Sequence, residues 1–181
     1  MSRSEKHVDW CLRKAQKELK ETGDHKGLVR IAPDEYEAKE HIKKAEHNLQ
    51  ALVYNKELFS DWSINMGFYT MYHCFLAILS KFGYESKNQE CTLSAIDVLV
   101  KEKKIDESFR GYVEKIRKNP EVIKGPKEDI KNDDNSNDSD KIMSKREETQ
   151  YTTIREVEAE KVNVILKVCQ DMLFETKGII D

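Results

Sequence analysis

Turn-making residues are scarce here, with only 7 Gly and 3 Pro in 181 residues. A β-sandwich or barrel needs such residues at every corner, so their shortage excludes those classes and favours long helices. Cysteine is sparse too: Cys11, Cys74, Cys91 and Cys169 stand far apart, without a CxxC pair. That spacing argues against a thiolate zinc site or a redox pair, and neither metal nor cofactor is expected. Cys74 and Cys169 fall on apolar helical faces, where thiols act as small hydrophobes, and all four are read as reduced intracellular thiols. The Lys- and Glu-rich N-terminus has no signal-peptide pattern. Long apolar runs are missing as well. The stretch from Ile64 to Phe82 is interrupted by Asn65, Thr70, His73, Ser80 and Lys81, short of the roughly twenty apolar residues that a membrane span needs. A cytoplasmic chain with no membrane contact is expected. Charge of one sign is also lacking, since 31 Lys+Arg against 34 Asp+Glu leave a net charge of -3. The whole chain therefore does not advertise nucleic-acid binding, although a few cations on one face suffice to hold phosphate.

What the sequence does contain is helical periodicity. Val8, Cys11, Leu12, Ala15 and Leu19 recur at steps of three and four and stop before Gly23, which predicts a short amphipathic helix, read as an appendage. Gly27 and Pro33 then mark a linker, so residues 1–33 are assigned to an N-terminal helix and linker. Residues 34–177 are assigned to a main bundle. Asp34 with Glu37 three residues on has the look of a capping box, and Ala38, Ile42, Ala45, Leu49 and Leu52 carry helix one to about Tyr54. Trp62 to Phe82 is apolar nearly all round and so belongs at the centre, with Gly83 as its left-handed terminator. Thr92 or Ser94 would cap a third helix bearing Leu93, Ile96, Leu99 and Val100, and Asp106 opens a further short one. An Asp-, Asn- and Ser-rich stretch at about 125–141 reads as a mobile acidic loop. Tyr151, Ile154, Val157, Ile165, Val168 and Met172 predict a final helix from about Glu147 to Thr176. The fold class is all-α: an up-and-down bundle of four main helices with shorter accessory helices.

Three segments together resemble the HEPN family: Ala38 to Leu52, Phe68-Tyr69-Thr70-Met71-Tyr72-His73-Cys74-Phe75-Leu76-Ala77-Ile78-Leu79, and Gly83-Tyr84-Glu85-Ser86-Lys87. The stretch from Arg146 to Tyr151 is similar to the opening of that family's last helix. The resemblance spans roughly Asp34 to Thr176. It implies a helical bundle that forms a homodimer, binds a nucleotide or RNA, and pairs with a small nucleotidyltransferase protein in a toxin-antitoxin system. Many HEPN relatives cut RNA with an Arg followed, after about four to six residues, by a His, so that a guanidinium holds phosphate while imidazole moves a proton. The histidines here are His7, His25, His41, His47 and His73. Arg110, Arg117, Arg146 and Arg155 have no His downstream, and neither Arg3 with His7 nor Arg30 with His41 has the spacing. The leading expectation is therefore a non-catalytic binding module.

Lys87, Asn88, Gln89 and Thr92 form a polar turn at a helix start, where a lysine and unpaired N–H groups would cradle a phosphate. That turn is similar to one in a HEPN subgroup in which a His often stands near the position of Gln89. Arg146, Gln150 and Tyr151 would complete the site from across the bundle. Tyr69, Tyr72 and His73 share a helical face, suited either to base stacking or to core packing. Two alternatives stand beside this reading: a metal-independent endoribonuclease with a rearranged site using His73 and Arg146, and a structural dimerisation subunit. Leu76 is expected in the core.

Overall fold

The computed structural model describes residues 1–118 and 158–181. Among them the elements run α1 (Arg3–Thr22), β1 (Leu28–Arg30), α2 (Glu35–Asn55), α3 (Ser60–Lys81), β2 (Tyr84–Ser86), α4 (Gln89–Lys101), α5 (Ser108–Lys118) and α6 (Ala159–Ile180). The described chain is mostly helical, in keeping with the all-α class. The acidic loop and the expected start of the last helix lie outside the described residues.

Local chemistry sets the helix ends. Ser2 and Glu5 form a reciprocal capping box at α1, and Gly23, with φ of 77°, closes that helix. At α2 only half of the expected box forms: Asp34 Oδ1 accepts from the Glu37 N–H at 2.9 Å, while the Glu37 carboxylate lies 3.6 Å from His41 Nε2. The Asp34 N–H instead donates to the Ser80 carbonyl, so that orphan donor is already satisfied. Gly83 terminates α3 as expected, with φ of 78°. A Cβ there would sit 2.8 Å from the Ile31 carbonyl oxygen, so both the backbone conformation and the space require glycine. The expected cap of α4 needs correcting. Asn88 caps it, accepting from the Cys91 N–H at 3.0 Å, whereas Thr92 and Ser94 lie buried within the helix.

α3 occupies the centre and touches α2, α6, α4 and β2. Its buried residues include Met71, Cys74, Phe75, Ile78 and Leu79, so a helix apolar on every side finds neighbours on most sides. Leu76 is half-buried, which corrects its expected place in the core: it lies one helical turn from Tyr72 and His73, which are half-buried too. α3 crosses α6 closely at Gly67, where a Cβ would overlap Ile165 Cγ2.

The N-terminal region departs furthest from expectation. α1 buries Val8, Cys11 and Ala15 and packs on α4 and β1. The expected linker contains β1, paired antiparallel with β2 in the register Leu28 to Ser86, Val29 to Glu85 and Arg30 to Tyr84. Leu28 is wholly buried. Cys11 and Cys91 are joined by a disulfide, which corrects their reading as reduced thiols: antiparallel packing of α1 on α4 brings together two cysteines separated by 80 positions. Cys74 and Cys169 remain buried free thiols. Among the described residues no helix is long and apolar enough to cross a membrane.

Candidate nucleic-acid interface

The α3 aromatics form a connected layer in which Phe68 is buried and Tyr69 and Tyr72 are half-buried. Phe68 stacks on Tyr72 with ring centroids 5.6 Å apart and meets Tyr69 edge-on at 5.2 Å, and both tyrosines pack against the core. His73 faces α2, with its Nδ1 3.1 Å from His41 Nδ1. Two imidazoles can share one hydrogen bond only when the acceptor is neutral, and burial favours neutrality in both. Burial, assisted by the His41 ring and Lys44, pushes His73 down to about 4. Burial also lowers His41, against the pull of Glu37. At neutral pH His73 therefore lacks the imidazolium proton that a general acid gives up, which weighs against that role.

The polar turn at the start of α4 is engaged with its own chain. Lys87 Nζ lies 2.7 Å from Asp24 Oδ1 and 3.6 Å from Glu85 Oε1, and the Asp24 contact raises the lysine's pKa. The Asn88 side chain is occupied as the cap, and Gln89 begins the helix half-buried. The Thr92 hydroxyl is buried, donating to Ser86 Oγ at 2.7 Å or the Asn88 carbonyl at 2.9 Å. It also lies 3.5 Å from the Tyr72 hydroxyl, so the fold brings the tyrosine face and this turn together. A phosphate at Lys87 would compete with two carboxylates. Arg146, Gln150 and Tyr151 lie outside the described residues.

A different surface gathers cations without such competition. On α1, Arg3, Lys6, Trp10, Arg13, Lys14, Lys17 and Lys20 are all exposed. At about 100° per residue they fall within one arc of about 120°, opposite the face that buries Val8 and Ala15. Within the arc Glu21 is the one acid, and it pairs with Lys17 at 3.8 Å. Among the described residues the other five cations make no ion pair. Trp10, 50% exposed, lies at the middle of the arc. Lys14 Nζ stands 5.1 Å from the centre of its ring, and His7 flanks it at 5.7 Å.

Beside the N-terminal end of this face, α1, α4 and α5 enclose a cleft of about 490 Å³ lined by Arg3, Ser4, His7, Glu90, Ser94 and Arg117. Its walls are tied together. His7 Nδ1 lies 2.9 Å from Ser94 Oγ, while the Ser4 hydroxyl and the Arg117 guanidinium both donate to Asp97 Oδ2, at 3.0 and 2.6 Å. Burial lowers the His7 pKa, Glu90 opposes this, and Arg117 and Arg3 add to it. An arginine and a histidine thus line one cleft although 110 positions separate them in the sequence, an arrangement that a search for short Arg-to-His spacings misses. The cationic arc was detectable in the sequence: the three-to-four spacing that reveals the apolar stripe of α1 also aligns its cations around Trp10. Comparison with protein-family models and with curated proteins gives no match to this chain.

Proposed function

We propose that this protein is a binding module for single-stranded RNA, held through the outer face of α1. The observation that carries the reading is the exposed Trp10 amid six cations, five of them without an ion-pair partner among the described residues. A surface tryptophan offers a flat face on which any base stacks, and flanking lysines and arginines track the phosphates on either side. Arg3 stands where this face meets the neighbouring cleft. The resemblance of α2 and α3 to HEPN segments supports an RNA role. In that comparison α2, α3, α4 and α6 correspond to the four main helices of an up-and-down bundle, with α1 and α5 as accessory helices. His73, pushed down to about 4 by burial, is poorly matched to acid–base work at neutral pH, which favours binding over cleavage.

Titration of a labelled single-stranded RNA against wild type, Trp10→Ala and the double charge reversal Lys14→Glu with Lys17→Glu tests this reading. Loss of base stacking costs about 1 to 3 kcal/mol, so Trp10→Ala should weaken binding about tenfold, and the charge reversal should weaken it further and flatten the salt dependence. Equal affinity of all three proteins would remove α1 from the account. A preference for anionic lipid vesicles over RNA would replace the reading with an interfacial helix.

A further inference from the structure

We propose that His7, Cys11 and Cys91 form a metal site in the reduced protein, taking one zinc ion, and that the disulfide is the oxidised, metal-free state of the same cluster. This inference uses the inner side of α1 and is independent of the RNA reading. One ligand atom from each of the three side chains lies within 4.8 Å of the other two. Zinc bonds of about 2.3 Å to sulfur and about 2.0 Å to nitrogen set ligand atoms roughly 3.5 Å apart in a tetrahedron, so small side-chain rotations suffice. His7 and Cys11 stand four residues apart on one helix, which stacks them on the same face. Cys91 comes from the first turn of α4, where the positive end of the helix dipole favours a thiolate.

Access is available through His7, which lines the open cleft while Cys11 and Cys91 are 1% and 2% exposed. A water molecule entering from that cleft, which Glu90 also lines, would supply the fourth position. The local charge permits a cation: two thiolates neutralise the zinc, Arg117 is paired with Asp97, and Glu90 lines the same cleft as Arg3. The other cysteines do not compete, because both are buried in the bundle and burial pushes Cys74 up to about 12.

The conversion balances. A dithiol reductant delivers two electrons and two protons to the Cys11–Cys91 bond, which becomes two thiols while the reductant closes to its own disulfide. Zinc then displaces the two thiol protons into solvent and forms two Zn–S bonds and one bond to imidazole nitrogen.

The full chain, reduced with a dithiol and freed of it anaerobically, is titrated with Co²⁺ as an optical probe and then with Zn²⁺. The expected result is thiolate-to-cobalt charge-transfer absorption saturating at one equivalent and abolished by zinc, with no such absorption from the oxidised protein. His7→Gln, whose fold can be checked by circular dichroism in the disulfide state, should bind more than about tenfold more weakly, and Cys91→Ser should lose the charge-transfer bands. Reduced wild type without these bands, or His7→Gln binding cobalt as tightly as wild type, would overturn the proposal.

Discussion

α3 and α1 are nearly equal in length, 22 and 20 residues, but they are held in the molecule by different means. α3 buries twelve residues among α2, α4, α6 and β2, so its position follows from the area of apolar surface it removes from water. α1 buries three and is fastened at points instead: the Cys11–Cys91 disulfide, His7 to Ser94, Ser4 to Asp97, and Lys101 to Glu5 at 2.7 Å. That last hydrogen bond, together with the Ser2 backbone, holds the Glu5 carboxyl down at about 2. The contrast teaches that a helix attached along one narrow stripe keeps the rest of its circumference for other work. In α1 that remaining surface is the cationic arc.

The sharpest way to break the comparison is to truncate side chains of α3 and, separately, to unfasten α1. Phe75→Ala, at a wholly buried position of α3, should cost about 3 to 5 kcal/mol in urea unfolding, whereas Leu76→Ala next to it, half-buried, should cost clearly less. If the two substitutions cost the same, the packing assigned to α3 is wrong. Removing the fastening of α1, by Cys11→Ser with Cys91→Ser, should cost about 2 to 4 kcal/mol. Hydrogen exchange should then show α1 losing protection while α3 keeps it, and uniform loss across both helices would count against separate attachment.

Acid gives a smaller, pH-dependent contrast. His73 in the folded chain titrates at about 4 against an ordinary 6.5, so between those values the unfolded chain binds the extra proton and stability falls as pH falls. The neutral ring's contribution is fully present above about 6.5 and lost progressively towards 4. His73→Gln should therefore flatten the dependence of the urea midpoint on pH within that window, and an unchanged slope would show that the ring is not desolvated. The smallest effect belongs to the outer face of α1, where Lys14→Ala should change stability by less than about 0.5 kcal/mol. Thermal melting checks this, and a large loss would mean the arc serves folding.

Several elements were legible from sequence because their causes are local. The four-and-three spacing of Ala38, Ile42, Ala45 and Leu49 places one stripe on α2 whatever the rest of the chain does. The unbroken apolar character of α3 dictates a central position, and Gly83 after Lys81 dictates where it stops. The candidate turn at Lys87 shows the limit. Its composition suits a phosphate, but whether the lysine is available depends on Asp24, 63 positions away, and no local pattern reports that partner. Asn88 was passed over as the cap because Thr92 and Ser94 are equally good capping types, and only the path of the chain out of β2 selects among them.

Composition and periodicity by themselves determined that this chain is helical, which of its helices is innermost, and that one flank of α1 carries its cations together. Those properties follow from side-chain chemistry repeated at the pitch of a helix. Tertiary structure alone decided that β1 pairs with β2, that Cys11 meets Cys91, and that His7 shares a cleft with Arg117. Each of those meetings joins residues more than fifty positions apart, where the loop closed between them has no sequence preference and the packing of the helices sets which side chains touch.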